Sequence, residues 1–200
     1  MALLAINVEI QFFNLLIKLP ATFVNRCVCY TIAALWLGFS LSISHSVAKA
    51  DSPLEYQVKA AFIYNFIAFT HWPDNTNQVI LLCVFGEDHF GNEIDKLQNR
   101  SIDKRHINVV RISDPDQLKQ CQAIFFSKSV SNNLASILNS LPNEPILTLA
   151  DTPNAASKGI AINMSLMNQK IVFEINLAIA RKSGLDFSSK LLQLAAKVYQ

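Results

Sequence analysis

The chain has 200 residues, with 17 lysines and arginines against 15 aspartates and glutamates, 51% hydrophobic residues and 16% charged. A net charge of +2 supplies none of the basic surface on which nucleic-acid binding depends, and the length allows one domain or at most two. With no recurring period, seven prolines and five glycines, a repeat solenoid, a collagen-like rod and a disordered chain are all excluded.

The average joins two unlike pieces. Residues 1–50 carry 33 hydrophobic side chains and only four charges, Glu9, Lys18, Arg26 and Lys49, whereas the rest balances 14 basic against 14 acidic side chains. No charge lies between residues 27 and 44, and the densest apolar run, residues 30–39, holds Ile32, Leu35, Trp36 and Leu37. Arg26 precedes that run; Ser42, Ser44, Ser46 and then Ala48-Lys49-Ala50 follow it. This is the pattern of an export signal cleaved between Ala50 and Asp51. A retained membrane helix needs about 20 strongly apolar residues, and this run fades into serines sooner. No cysteine follows at the cleavage point, so a lipid anchor is not expected. In front, residues 1–19 form a second apolar stretch where a short basic region belongs. A translation start at Val24 would leave Asn25-Arg26 in that role.

Cleavage removes Cys27 and Cys29 and leaves Cys83 and Cys121 in an oxidising compartment, where a lone pair tends to bridge. Two separate buried thiols remain the other reading, since each sits beside an apolar run. Zinc fits neither: His71, His89 and His106 do not stand at a ligand spacing from either cysteine.

From Asp51 the elements follow in order. Asp51-Ser52-Pro53 and Glu55 open a helix that runs to about Phe69 and stops before Trp72-Pro73. One face carries Val58, Phe62, Asn65, Phe66 and Phe69, a second Tyr56, Ala60, Ile63 and Ile67, with Gln57 and Lys59 as the early polar positions. A helix apolar nearly all round is either buried on several sides or offered to a partner. Residues 79–85 read as a strand buried on both faces, residues 90–98 as a short helix, and 107–112 and 123–126 as strands. Residues 130–141 read as a helix capped by Ser129 or Ser131, and 145–149 as a short strand closed by Asp151 and Pro153. Strands alternating with helices imply parallel pairing through helical crossovers. Residues 159–165 and 170–175 look instead like an antiparallel hairpin. Asn176 then caps a helix ending at Arg181-Lys182 with Gly184 beyond it. Ser188 opens a final helix carrying Leu191, Leu192, Leu194, Ala195 and Val198. Residues 51–200 thus read as a single three-layer α/β domain, a mixed but mostly parallel sheet with helices on both faces and a C-terminal hairpin plus two helices.

Ligands of such sheets gather at the carboxyl ends of the strands, here Gly86-Glu87-Asp88-His89, Ser127-Lys128-Ser129 and Asp151-Thr152. Asp88, His89 and Ser127 lack a G-x-S-x-G elbow around the serine, and neither phosphate-binding glycine motif occurs. No catalytic residue, metal ligand or cofactor is therefore assigned. Asp151 is expected to serve as a turn or cap residue. Lys170, Glu174 and Arg181 surround residues 173–176, either as an anion or partner site or as a solvated strand edge and helix end.

Several motifs together resemble those of the YfiR-like periplasmic proteins. They are Tyr56, Lys59-Ala60-Ala61-Phe62, Tyr64-Asn65-Phe66, Phe69 and Trp72-Pro73; then Leu82-Cys83-Val84-Phe85-Gly86 with Phe90-Gly91. Cys121 before Ala123-Ile124-Phe125-Phe126, Leu147-Thr148-Leu149-Ala150-Asp151, Phe173-Glu174-Ile175-Asn176-Leu177 and Gly184-Leu185 with residues 191–195 complete the set. The resemblance implies a small non-enzymatic α/β protein that represses an inner-membrane diguanylate cyclase by binding its periplasmic sensor domain, lowering cyclic-di-GMP and biofilm formation. It also implies that Cys83 and Cys121 form a family disulfide linked to envelope redox state. A second cysteine pair found in some members is missing here.

The partner surface is expected on the exposed side of the first helix, with Tyr56, Ile63 and Ile67, and on residues 173–181, with Phe173, Glu174 and Arg181. Self-association into a homodimer stays open. The competing function is a periplasmic small-molecule sensor module acting on another envelope protein. Export itself makes a direct prediction: intact-mass analysis of a periplasmic extract should find a chain beginning at Asp51, and a full-length species confined to the membrane would contradict it.

Overall fold

The computed structural model describes residues 53–73 and 78–200; the expected export signal, the expected cleavage point and the expected Asp51-Ser52 cap lie outside them. In chain order the first half forms α1 (Pro53–Ala68), β1 (Thr70–His71), β2 (Val79–Phe85), α2 (Asn92–Asp95), β3 (Ser101–Ile102), β4 (Arg105–Ile112) and β5 (Ala123–Phe126). The second half forms α3 (Leu134–Ser140), β6 (Leu147–Ala150), β7 (Ile162–Met167), β8 (Lys170–Asn176), α4 (Leu177–Lys182), β9 (Asp186–Phe187), α5 (Ser189–Leu194) and β10 (Lys197–Tyr199).

Eight strands make one sheet in the order β10-β8-β7-β6-β5-β2-β4-β3, while β1 and β9 pair separately. The central strands β4, β2, β5, β6 and β7 are all parallel. β3 and β8 run antiparallel to β4 and β7, and β10 runs parallel to β8. Side chains alternate between the two faces of a strand, so a continuous apolar run such as β2 is stable only when both faces are covered. Ile80, Leu82 and Val84 of β2 meet α1 and α2 on the first face, together with Phe125 and Phe173. Cys83 and Phe85 meet Leu118, Leu134 and Ile160 on the second. The three-layer architecture follows.

Three expected elements end differently. The helix expected over residues 130–141 begins only at Leu134, after a single 3-10 turn at Lys128–Val130. Ser131, Asn132 and Asn133 favour side-chain-to-backbone bonding outside helices, which delays the start. The final helix stops at Leu194, and Val198 belongs instead to β10, in register with Ile175 of β8. A β-branched residue and an aromatic one next to an open strand edge gain more from the ladder than from another helical turn. The hairpin turn is tighter than expected, since only Asn168 and Gln169 link β7 to β8, both with positive φ (49° and 63°), as a two-residue hairpin turn requires.

Cys83 and Cys121 are joined in a disulfide with Cα atoms 6.0 Å apart. Cys83 lies in β2 and Cys121 two residues ahead of the neighbouring strand β5, which brings them within bridging distance. The bond lies in the core of the second face. Closing a loop over a sequence separation of 38 contributes about 4 kcal/mol on the chain-entropy model. Replacing Cys83 by Ala in the chain from Asp51 onward should therefore lower the melting temperature by roughly 10 °C. In the unsubstituted chain, thiol titration under denaturing, non-reducing conditions should find no free thiol, and two free thiols would contradict the bridge.

Candidate functional site

The connections leaving β2 and β5 diverge, because β4 lies on one side of β2 and β5 on the other. Such a divergence opens a crevice at the carboxyl ends of the strands. Gly86 turns the chain there at φ +98°, and a Cβ on it would stand 2.5 Å from Ser127 Oγ and 2.7 Å from Ser129 Oγ. The two hydroxyls are hydrogen-bonded at 2.7 Å, and the Glu87 N–H donates to Ser129 Oγ at 2.9 Å. Asp88 is engaged elsewhere: it accepts from the Phe90 N–H and pairs with Arg111 Nε at 2.6 Å. Hydrogen bonds to Asp95, then Asp88, hold the Arg111 guanidinium protonated above its already high range. The His89 ring lies against Tyr56, centroids 5.4 Å apart. Asp88, His89 and Ser127 each have other partners, and no catalytic relay joins them.

Beside this crevice α1 and β6 meet through charge. Lys59 Nζ reaches Asp151 Oδ2 and Glu55 Oε1, each at 2.6 Å. The Tyr56 hydroxyl donates to the same Asp151 oxygen at 2.7 Å, and Lys59 Nζ lies 4.1 Å from the Tyr56 ring centroid. The ammonium is 1% exposed, and a cation so far from water persists only when paired and hydrogen-bonded. Asp151 Oδ1 is buried without a hydrogen-bond partner, as are Thr152 Oγ1 and Asn163 Oδ1. The first of these is an acceptor that a water or a small polar ligand would satisfy.

Two sequence expectations are corrected here. Asp151 is not merely a turn residue; it anchors the N-terminal turns of α1 to the sheet. Lys59 is not on a polar surface. The signal was its position, three residues after Tyr56 and four before Ile63, inside the apolar stripe.

The expected partner surface does not assemble. Tyr56, Ile63 and Ile67 are buried against the first face of the sheet, so they are not an exposed side of α1. The face carrying them packs toward β8, where Phe66 meets Phe173, and reaches Asp151 at the end of β6 through Tyr56 and Lys59, and burial of its apolar area wins. Phe173 is also internal, its ring 5.0 Å from Phe66 and 5.8 Å from Phe62. Glu174, on the opposite face of β8, is half-buried, and Arg181 is exposed with Asp186 at 3.4 Å. The large apolar side chains that α1 does leave in solvent, among the described residues, are Leu54 and Val58.

Among the described residues no group of three His, Cys, Asp or Glu side chains is placed to hold a metal ion, and no helix is long and apolar enough to cross a membrane. Lys59→Met should destabilise the domain by about 3 kcal/mol, because it strands two buried carboxylates. Asp151→Asn should cost about 1–2 kcal/mol, since Lys59 keeps Glu55. Urea unfolding measures both; equal, sub-kilocalorie effects would show that the cluster does not anchor α1.

Comparison with known proteins adds three findings. A family model described as YfiR/HmsC-like matches residues 56–196. A conserved domain protein from Vibrio cholerae O1 biovar El Tor is similar in structure, with a TM-score of 0.49 at 8% identity over 72% of this chain. An ABC domain in complex with L-Trp from Streptococcus pneumonia aligns with a TM-score of 0.47 at 10% identity over the same share. The chain spans 60% of the length of each of these two proteins.

Proposed function

From the premise that this chain belongs to the YfiR/HmsC-like family, periplasmic regulators of diguanylate cyclase signalling rather than catalysts, we propose that it represses an inner-membrane diguanylate cyclase by binding that enzyme's periplasmic sensor domain. Repression lowers cyclic-di-GMP and with it biofilm formation. The observation that carries this reading is the family match, which runs from Tyr56 in the first turn of α1 to Ala196 just before β10. Two features support it. The loops at the carboxyl ends of β2 and β5 tie their polar groups to one another and to Arg111, and the Lys59 cluster is built for anchoring. On the surface, Glu174 and Arg181 remain within reach of a partner, on either side of the cap at Asn176, whose side chain accepts from the Ile179 N–H.

A second reading, a small-molecule sensor module, draws on a cavity of about 470 Å³ between α3 and α4. Leu138, Ile146 and Ile179 give it an apolar floor, while Lys158 and Lys182 stand at its walls. A ligand with an apolar body and an anionic end would suit that lining, and native mass spectrometry of the purified protein would reveal one.

Binding one state of a cyclase more tightly than the other is what shifts its activity. Deleting the gene should therefore raise cyclic-di-GMP and surface attachment, and expressing the wild-type chain should reverse both. A folded Glu174→Arg variant should fail to reverse them. Ile63→Asp, by contrast, should lose the fold itself, because it buries a charge without a partner. Unchanged cyclic-di-GMP on deletion, with the cyclase expressed, would overturn the repressor reading.

A further inference from the structure

β8 is covered on its outer side for only part of its length. β10 is in register with Glu174, Ile175 and Asn176, and the last contact before it is the Ala196 N–H donating to the Phe173 carbonyl at 2.8 Å. Among the described residues no strand lies beside Lys170, Ile171 and Val172 on that side. In an antiparallel ladder the N–H and C=O of alternate residues point to opposite sides. The Phe173 carbonyl points toward β10, so the N–H and C=O of Ile171 point out along the same edge.

This open edge adjoins apolar surface. Leu54 and Val58 on α1, with Leu166 and Ile171 of the hairpin, line a groove of about 520 Å³ that Glu55 and Lys170 flank. Leu54 is 66% and Val58 36% exposed. Leu166 and Ile171 are paired across the hairpin and so share a face. Val58 stands one helical turn before Phe62, whose ring packs on Phe173. An unpaired edge beside exposed apolar side chains is the arrangement that takes up an added strand.

We infer that residues 170–172 of β8 accept one extended segment of a partner polypeptide as an added strand, apolar on the groove side and acidic at its ends. Two observations select this occupant. The added strand continues the ladder that β10 begins, on the same edge and with the same outward-facing backbone groups. Lys170 and Lys197 are exposed at the two ends of the slot, which complements acidic residues flanking an apolar core. A second copy of the chain fits badly. Pairing two β8 edges about a two-fold axis would drive the Asn168-Gln169 turn of one copy into the position that Lys197 of the other occupies, because the slot is so short. The partner's identity rests on the repressor reading; the slot does not.

Hydrogen exchange of single amides tests the slot directly. The probe is an acetylated, amidated peptide alternating valine and threonine between terminal aspartates, added to the full-length mature chain. At saturating peptide the Ile171 amide should exchange roughly tenfold more slowly, while the Val172 amide, already bonded to β7, should not change. Val58→Asp and Lys170→Glu, both at exposed positions, should abolish the slowing without lowering the melting temperature. Unchanged Ile171 exchange at the highest soluble peptide concentration overturns the inference. Protection of Ile171 that appears without peptide and rises with protein concentration overturns it in favour of a second copy. The same two variants are then scored for repression. Loss of repression assigns the slot to the cyclase, and normal repression by both overturns its use there. If deletion of the gene leaves cyclic-di-GMP unchanged, the repressor reading falls, and the peptide result still decides the slot.

Discussion

The buried contact between Lys59 and Asp151 is the constraint on which the rest of the first face depends. A single ammonium joins the second turn of α1 to the carboxyl end of β6, and the Tyr56 hydroxyl joins the same oxygen. Apolar packing alone would let a helix that is hydrophobic on most sides rotate or slide at little cost, because one aliphatic contact replaces another. A buried charge pair allows no such exchange: moving it strands two charges away from water. The rotation of α1 is thereby fixed. Tyr56, Ile63, Phe66 and Ile67 are turned toward the sheet, and Leu54 and Val58 toward solvent.

That fixed rotation explains what was legible in the sequence and what was not. The strands β2, β5 and β6 and their parallel order follow from short apolar runs separated by helical patterns, and the disulfide partners lie on or beside neighbouring strands. Which side of α1 faces the sheet could not be read from hydrophobicity, because both stripes are apolar. The deciding residue was polar, a lysine inside one stripe, and its partner Asp151 lies 92 residues away. Long-range pairing of that kind leaves no local pattern. β10 was missed for a related reason: Leu191, Leu192 and Leu194 have helical spacing, and only the open edge of β8 converts Lys197–Tyr199 to strand. The two-residue strands β1, β3 and β9 carry no period at all.

Function follows the same division. The polar groups at the carboxyl ends of β2, β5 and β6, where a ligand or a reaction would be expected in this class of sheet, are largely spent on structure. Gly86, Ser127 and Ser129 close a turn; Asp88 and Asp95 hold Arg111; Asp151 holds Lys59. The surface we propose for recognition is the C-terminal side of the domain, where Arg181 is exposed, Glu174 is half-buried and, among the described residues, the edge of β8 is only half covered. A regulator whose task is to recognise one conformation of another protein needs such a surface on a rigid frame. The disulfide beneath the second face and the charge pair beneath the first supply the rigidity.

The account stands or falls on preference for one state of the target. Isothermal titration of the mature chain against the cyclase's periplasmic sensor domain, locked by cross-linking in its inactive and in its active arrangement, measures that preference. The account predicts tighter binding to the inactive arrangement by roughly a hundredfold, about 2.7 kcal/mol of differential affinity. Equal affinity for the two arrangements would contradict it.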